Sequence, residues 1–239
     1  MSGLLIDKKI EFTDTIGVEL IERWGSDAKV AHAARTSTRG LDNQKGRVEG
    51  LVTSLWGEGH FSPFEHSGMT VAFDIPMFVR DHIVRHKSMS FSVRSGRYTE
   101  FEPRFYLAER APLVEVGRAL DYERESGDKE LRELKIRQSR ATATFAWGSY
   151  SAQRAAGISK EEARTDLPAS LYTQLWTSGS LRSWLHLLDQ RLDPHAQHAT
   201  AEAAAKVAQI IEREFPIAYN AWNAEHDTTE YTNLEGGTR

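Results

Sequence analysis

The sequence contains no cysteine among its 239 residues. Without thiols the chain forms no disulfide, offers no thiolate to a metal and has no thiolate nucleophile, so covalent chemistry would need other side chains or a cofactor. It also has no apolar run of the roughly 18 to 20 residues that cross a bilayer, and its start, Met1 to Lys9, is too short and too charged for a signal peptide. We therefore expect a cytoplasmic protein without a membrane contact.

Three common motifs are missing as well. The sequence has no Gly-x-Ser-x-Gly elbow, because Gly179-Ser180-Leu181 lacks the second glycine, and this disfavours a serine hydrolase. It has no Gly-x-Gly-x-x-Gly loop and no Walker A sequence, so a dinucleotide would bind without either common phosphate loop. A formal net charge of -4 argues against a dedicated nucleic-acid binder.

The hydrophobic pattern predicts a helix-rich α+β fold with a small antiparallel or mixed sheet. No repeat or linker divides the chain, so we expect one domain over residues 1–226 and a flexible tail over residues 227–239. Strands are predicted at 69–75 and 171–177, the second ended by Gly179-Ser180. Helices are predicted at 17–24, 26–36, 45–58, from Pro76, at 128–156, from Ser159 to Pro168, at 181–190, and from Pro194 through Phe215. Ser26 is the predicted cap of the second of these, and Ser159 with Glu162 resembles a capping box.

The most informative segment runs from Arg85 to Tyr98. It holds four cationic residues, a histidine, four serines and a glycine, but no acid. Such groups suit an anionic ligand, and phosphate above all. A simpler interpretation also stands, since Arg85, His86 and Lys87 follow a predicted helix and cations stabilise a helix C-terminus.

Arginine offers a further route to phosphate or to the carbonyl edge of uracil, because its planar fork makes two parallel hydrogen bonds. Each arginine taken singly is also consistent with a solvated surface. Those near predicted helix ends or turns are Arg85, Arg94, Arg97, Arg164, Arg182 and Arg191.

Two other residue patterns indicate alternative chemistries, metal binding and nucleic-acid binding. His195, His198 and Glu202 would share one face of a predicted helix and have zinc-compatible spacing, but the chain has nine histidines and no His-Glu-x-x-His sequence, so we predict no metal site. Basic residues interleaved with Phe91, Tyr98 and Phe101 would allow single-stranded nucleic-acid binding, which we also consider the weaker hypothesis.

The basic segment resembles the signature of the flavin-dependent thymidylate synthases. Arg85-His86-Lys87 is followed after seven residues by Ser95-Gly96-Arg97-Tyr98, whereas the family has Arg-His-Arg, seven residues, then Ser, usually continued as Gly-Arg-Tyr. The similarity covers roughly residues 27 to 223. Further blocks in the family's order are 33–37, 60–66, 76–79, Ala163-Arg164, Leu167-Pro168, 171–173, and Arg191 with His195-Ala196-Gln197.

This resemblance implies a homotetramer whose active sites are each assembled from several subunits around FAD. Members of the family convert dUMP to dTMP with a methylene group from 5,10-methylenetetrahydrofolate and a hydride from NADPH. No protein nucleophile attacks the uracil, which suits a chain without cysteine. The protein's own contribution is then positioning and electrostatics.

The resemblance also assigns site residues, with Arg191 as the catalytic, activating residue that stabilises negative charge on the uracil ring. The positions implied for dUMP are His82, Ile83, Val84, Arg85, Val93, Arg94, Ser95, Gly96, Arg97, Arg164 and Arg191. The positions implied for FAD are Ser62, Arg85, His86, Lys87, Val93, Ser180, Leu181, Arg182 and His186.

Several of these positions depart from the family pattern. Lys87 replaces an arginine and loses its planar fork. Val93 stands where the family typically has an acid, with Arg94 where a smaller or apolar residue follows. His82 and His186 stand where the family often has amides, which changes the balance of hydrogen-bond donors and acceptors and predicts binding that is sensitive to pH near 6.5. Three alternatives therefore stay open: the same chemistry on UMP, hydroxymethylation, or a catalytically silent flavin- or nucleotide-binding regulator.

Overall fold

A computed structural model of the protein describes residues 8–40, 46–118, 121–193 and 195–226. The predicted helix-rich α+β fold is confirmed. The chain forms two compact units, each built from several separate segments. The first unit takes Met1–Thr15, Pro76–Phe78 and Arg94–Thr173, and the second takes Ile16–Ile75, Val79–Val93 and Gln174–Arg239. The predicted tail, 227–239, lies outside the described residues, so the boundary at residue 226 stays a prediction.

Strands and helices alternate irregularly along the described residues. The strands are β1 (Glu11–Thr13), β2 (Gly17–Trp24), β3 (Gly68–Pro76), β4 (Ser90–Val93), β5 (Arg104–Tyr106), β6 (Leu113–Arg118), β7 (Asp121–Ser126) and β8 (Tyr172–Ser180). The helices are α1 (Asp27–Arg39), α2 (Val48–Gly57), α3 (Met77–Ile83), α4 (Lys129–Ala155), α5 (Lys160–Ala163), α6 (Leu181–Arg191), α7 (His198–Glu214) and α8 (Pro216–Asn223), with 3₁₀ helices at Ser62–His66 and Arg164–Asp166. Across these residues no helix combines the length and apolar character that crossing a membrane requires.

The second unit is organised around a four-stranded sheet in the order β2-β3-β8-β4. Strand β3 supplies much of its core, because Met69, Val71, Phe73 and Ile75 alternate along the strand and are buried as the sequence predicted. Trp184 of α6 packs on this layer, and its indole nitrogen donates a hydrogen bond to the carbonyl of Met69 at 3.0 Å. The sheet and α6 therefore share one apolar core.

The helix predicted over 17–24 is wrong, since Gly17–Trp24 forms strand β2. It pairs antiparallel with β3, with Val18 opposite Phe73. The segment is so short that its apolar residues fit the period of a helix as well as that of a strand. The edge of β3 favours the strand, because it offers backbone hydrogen-bond partners to the segment. Glycine is needed at position 17, because a Cβ there would lie 2.9 Å from the Cβ of Asp74.

Other predicted boundaries move by a few residues. Pro76 ends β3, and α3 begins at the next residue. Strand β8 continues through Gly179-Ser180, where the sequence predicts a break, and a Cβ at Gly179 would lie 2.9 Å from Cε of Met89. Helix α7 begins at His198, and a separate helix, α8, follows from Pro216. The predicted starts at Lys45 and Pro194 lie outside the described residues.

The two predicted helix caps are confirmed. The hydroxyl of Ser26 accepts a hydrogen bond from the amide of Lys29 at 3.2 Å, and the hydroxyl of Ser159 accepts one from the amide of Glu162 at 3.2 Å. Each cap satisfies an amide that the helix itself leaves without a partner. The starts of α1 and α5 are therefore confirmed in atomic detail.

The first unit has its own core, in which aromatic residues of α4 pack against β5. Trp147 and Tyr150 of α4 are buried together with Phe101, Phe105 and Leu171. Strands β1 and β5 pair in parallel, and β6 and β7 form an antiparallel hairpin. The N-terminal half of α4 contributes no buried residue before Ala143. Burial thus holds only the C-terminal half of this long helix within the unit.

A buried carboxylate fixes the start of α8 in the second unit. Asp27 lies in the first turn of α1, is 7% exposed, and accepts hydrogen bonds from the amides of Ile217 and Ala218, each at 3.0 Å. Burial raises the pKa of Asp27, while the two amides and Arg23 act in the opposite direction. Asp27 therefore caps a helix that lies far away along the chain.

Replacement of Asp27 by alanine should leave these two amides buried without a partner. We expect Asp27→Ala to lower the free energy of unfolding by about 2 kcal/mol, measured by chemical denaturation followed by tryptophan fluorescence. Glu49, an exposed acid in the first turn of α2, gives a matched control, and Glu49→Ala should change stability by less than about 0.5 kcal/mol. Equal losses in the two variants would contradict the capping role.

Candidate active site

The structure places the predicted site residues in both units. Most belong to the second unit, namely Ser62, 82–87, Val93, 180–182, His186 and Arg191. A smaller group, Arg94, Ser95, Gly96, Arg97 and Arg164, belongs to the first unit. The two groups are described in turn.

The first half of the basic segment forms a turn after α3. The amide of Arg85 donates to the carbonyl of His82 at 3.4 Å, and the amide of His86 donates to the carbonyl of Ile83 at 3.2 Å. This turn exposes Arg85 and Lys87 to solvent but buries His86, which is 5% exposed. The side chain of Ile83 is fully buried and belongs to the core. The turn thus places two exposed cations on either side of one buried imidazole, so neighbouring residues of the segment have different surroundings.

Arg191, the last residue of α6, reaches this turn. Its Nε donates a hydrogen bond to Nε2 of His86 at 3.0 Å, and its Nη2 donates to the carbonyl of His82 at 3.2 Å. Burial, Arg191 and His186 together lower the pKa of His86 to about 4. His86 is therefore neutral at pH 7 and carries its proton on Nδ1, because Nε2 accepts from the guanidinium.

His82 makes a different contact on its imidazole. Its Nδ1 lies 2.9 Å from the hydroxyl of Thr200 in α7. Burial, followed by the charge of Arg191, lowers the pKa of His82 below its ordinary value. The titration that the sequence placed near pH 6.5 thus moves to lower pH for this residue.

His186 lies beside His86, with 6.3 Å between the ring centroids in an edge-on arrangement. Its Nε2 is 2.9 Å from the side-chain nitrogen of Gln190, and its Nδ1 is 3.7 Å from the carboxylate of Asp189. Both neighbours lie on the same helix as His186, Asp189 three residues and Gln190 four residues further along the chain. The structure therefore brings His82, His86, His186 and Arg191 into one cluster.

The start of α6 uses two predicted residues structurally. The hydroxyl of Ser180 caps the helix by accepting from the amide of Ser183 at 3.3 Å. The side chain of Leu181 is fully buried, and its amide donates to the carbonyl of Ser67 at 2.7 Å. Both groups thus serve the start of the helix, whereas the next residue, Arg182, is exposed.

Arg182 and Ser62 share the wall of a cleft of about 430 Å³. The guanidinium of Arg182 forms an ion pair with Glu65 at 3.2 Å and lies over the ring of Phe61, 5.6 Å from its centroid. The other residues that line the cleft are Ala34, Ser37, Leu55, Gly59, His60, Phe61 and Pro63. Two predicted FAD residues are therefore brought together at an opening that has one cation and both apolar and hydroxyl surfaces.

Val93 ends β4, an edge strand that sequence reasoning missed. Strand β4 pairs with β8, and Val93 lies opposite Leu175. Strand β4 has only four residues, two of them serines, so the alternation of apolar and polar residues is weak. It also lies inside the basic segment, whose charge indicates a binding site rather than a strand. Val93 is 37% exposed, so its side chain remains accessible.

The second half of the basic segment forms a separate turn in the first unit. The amides of Tyr98 and Thr99 donate to the carbonyl of Ser95 at 3.2 and 3.0 Å. Glycine at position 96 serves packing, because a Cβ there would lie 2.3 Å from the ring of Phe101 and 3.0 Å from Cδ of Arg164. The missing side chain therefore makes room for Phe101 and Arg164.

The cations around this turn differ in their partners. Arg94 donates to the carbonyl of Glu100 at 2.9 Å, and Arg97 forms an exposed ion pair with Glu161 at 3.1 Å. The guanidinium of Arg164 is exposed and makes no ion pair among the described residues. Of these three arginines, Arg164 is the one whose charge is best available to an anion.

Two observations concern the residues named for metal and nucleic-acid binding. His195 precedes α7 and bonds to Asp193 at 3.0 Å, so it does not share a helical face with His198 and Glu202 as zinc binding required. Within the described ranges no group of three acidic or histidine side chains is arranged to hold a metal ion. Phe101 is 3% exposed and cannot stack on a base, which removes one of the three aromatic residues proposed for nucleic-acid binding.

Two residues of the site were missed at the sequence level. Glu65 lay in a block matched to the family but received no role, although it is the ion-pair partner of Arg182. Thr200 gave no signal, because its contact with His82 joins residues 118 positions apart. Only the folded arrangement of α3 and α7 reveals that pair.

Comparison with known proteins identifies the family. Residues 19–217 match the family model described as thymidylate synthase complementing protein. The chain is 35% identical over 227 residues to a flavin-dependent thymidylate synthase of Streptomyces coelicolor, covering 92% of this chain and 89% of the relative. It is 37% identical over 186 residues to the enzyme of the same name from Tropheryma whipplei, covering 75% of this chain and 78% of that one.

A solved structure shows the same fold. The crystal structure of a UMP/dUMP methylase, PolB from Streptomyces cacaoi, bound with 5-Br UMP, superposes with a TM-score of 0.83 at 31% identity, covering 90% of this chain and 97% of that one. A second structure of PolB, bound with 5-Br dUMP, gives a TM-score of 0.82 at 28% identity and the same coverage. The chain belongs to the family of flavin-dependent thymidylate synthases.

Proposed function

We propose that the protein transfers a one-carbon unit from 5,10-methylenetetrahydrofolate to carbon 5 of a uridylate, with FAD as cofactor and NADPH as reductant. With dUMP the products are dTMP and tetrahydrofolate. The observation that carries the proposal is the position of Arg191, whose guanidinium is held by His86 and by the carbonyl of His82 beside the basic segment. Family membership and the absence of any cysteine nucleophile agree with it.

Arg191 is suited to activate a uracil ring. Two of its N–H groups are used to fix its orientation, and its remaining N–H groups are available to carbonyl oxygens. A permanent cation in a partly desolvated site stabilises negative charge that develops on N3 and O2 when the ring becomes nucleophilic. Since His86 is neutral, it orients the guanidinium without competing for that charge.

The residues that would hold FAD fit a group with a diphosphate and a broad aromatic system. Arg85 and Lys87 are exposed and form no ion pair among the described residues, and Arg182 with Ser62 borders a cleft that contains an aromatic ring. We assign the contacts to these four residues, to Val93 and to His186. His86, Ser180 and Leu181 then position their neighbours. When bound, FAD supplies the hydride chemistry that no side chain provides.

Both uridylates are reasonable substrates. We assign the uridylate to the residues that the family resemblance named, with Arg164 as the first choice for the phosphate because its charge has no ion-pair partner among the described residues. The likeness to PolB, described as a UMP/dUMP methylase, favours methylation of UMP as the second candidate function.

A cytoplasmic location stays a prediction.

A turnover assay tests the proposal directly. FAD-loaded protein with NADPH and 5,10-methylenetetrahydrofolate should methylate dUMP, UMP or both, and mass spectrometry of the products separates methylation from hydroxymethylation. Omission of either co-substrate gives the control. If neither uridylate is modified although flavin absorbance near 450 nm shows that FAD is bound, the enzyme proposal fails and a silent flavin-binding protein takes its place.

Removal of the Arg191 charge should separate chemistry from cofactor binding. We expect Arg191→Ala to retain FAD, read from flavin absorbance, but to lose turnover by a factor of about 10² or more, as when an electrostatic group is removed from an active site. Arg213→Ala removes an exposed arginine from the last turn of α7 and should leave turnover unchanged. Normal turnover of Arg191→Ala would reassign Arg191 to structure.

We also propose that the protein assembles as a homotetramer. Phe145 of α4 is 82% exposed and borders a shallow cleft of about 590 Å³ beside Ala141 and Ala146, which is unusual for a lone soluble subunit. Light scattering should give a mass of about four times 27.0 kDa. Phe145→Glu should lower that mass, whereas Lys135→Glu on the same helix should not. A monomeric wild-type protein would refute the proposal.

A further inference from the structure

A buried threonine holds one imidazole of the site. Thr200 lies in the first turn of α7 and is 0% exposed, yet its hydroxyl lies 2.9 Å from Nδ1 of His82. His82 itself is only half-buried. The pair therefore joins a residue in the protein interior to a ring that reaches the surface of the predicted uridylate site.

The burial of Thr200 decides which atom carries the proton. Among the described residues, His82 is the one hydrogen-bond partner of the Thr200 hydroxyl. A buried hydroxyl needs an acceptor for its proton, because an unsatisfied buried donor is costly. If Nδ1 of His82 were the donor, that hydroxyl proton would have no acceptor. The threonine must donate, and Nδ1 must accept.

This direction fixes the tautomer of His82. Burial and the charge of Arg191 lower the pKa of His82, so the ring is neutral near pH 7 and holds one proton. With Nδ1 occupied as an acceptor, the proton lies on Nε2. That atom has no hydrogen-bond partner among the described residues, so it is an available donor. Other charges near the ring are Asp81 and Arg85.

We propose that Thr200 is a positioning residue that locks His82 as the Nε2–H tautomer, and that this N–H donates a hydrogen bond to an acceptor oxygen of the uridylate. The proposal rests on the proposed function for its substrate. Arg191, which donates to the carbonyl of the same residue, supplies the second donor group. Both of these groups are donors, which matches the carbonyl and phosphate oxygens of a uridylate.

Histidine NMR tests the tautomer without turnover. In protein labelled with ¹⁵N-histidine, the His82 resonances are assigned by their loss in His82→Gln. We expect a single Nε2–H tautomer in the wild type and in Thr200→Ser, and a mixture of tautomers in Thr200→Val, which keeps the shape but not the hydroxyl. An Nδ1–H tautomer in the wild type overturns the proposal, and this result does not depend on any Thr200 variant being folded. An unchanged tautomer in folded Thr200→Val also overturns it.

Calorimetry with dUMP and with UMP tests the substrate contact. Thr200→Val should weaken binding of the preferred uridylate about threefold to tenfold, the loss expected for one misplaced hydrogen bond, and Thr200→Ser should restore it. FAD content and melting temperature serve as controls, since a purely structural defect would lower them as well. Equal affinity in wild type and Thr200→Val refutes the positioning role. If no uridylate binds the wild type, the proposed function and the substrate contact both fail, while NMR still decides the role of Thr200.

Discussion

The hydrogen bond from Arg191 to His86 is the interaction on which the site depends. It requires an imidazole that is neutral at working pH, and the burial of His86 together with the adjacent guanidinium ensures this by holding the pKa of His86 at about 4. A carboxylate in the same place would orient Arg191 equally well. It would also neutralise the charge that the uracil ring needs. A buried neutral acceptor therefore orients a cation and preserves its field.

The same reasoning explains the shortage of acids between Arg85 and Tyr98. Arg85 and Lys87 stay without ion pairs among the described residues, and an acid within their own turn would compete with an anionic ligand. The two halves of the segment are nonetheless built differently. Arg94 and Arg97 beyond β4 are occupied by a carbonyl and by Glu161. The segment thus forms two turns, one in each unit, whose cations have different partners.

Sequence was a good guide wherever the determinant is local. Ser26 and Ser159 cap helices as predicted, and the alternation of β3 marks its buried face. It failed where distant parts of the chain decide. Strand β2 was taken for a helix because only its pairing with β3 distinguishes the two periods, and His195 was placed on α7 although that helix begins at His198. The family blocks named Arg191 and His86, but no sequence pattern linked His82 to Thr200.

His82 and His186, which stand where the family resemblance leads us to expect amides, raise a problem that an amide does not have. A glutamine side chain has its donor and its acceptor on different atoms, which are fixed by its chemistry. A neutral imidazole also has one donor and one acceptor, but its hydrogen-bond partners determine which nitrogen carries the proton. At His82 the buried hydroxyl of Thr200 makes that choice. At His186 the neighbours Asp189 and Gln190 stand in the same helix. An imidazole at such a position presents a defined donor only when a second residue fixes its proton, as the hydroxyl of Thr200 does for His82.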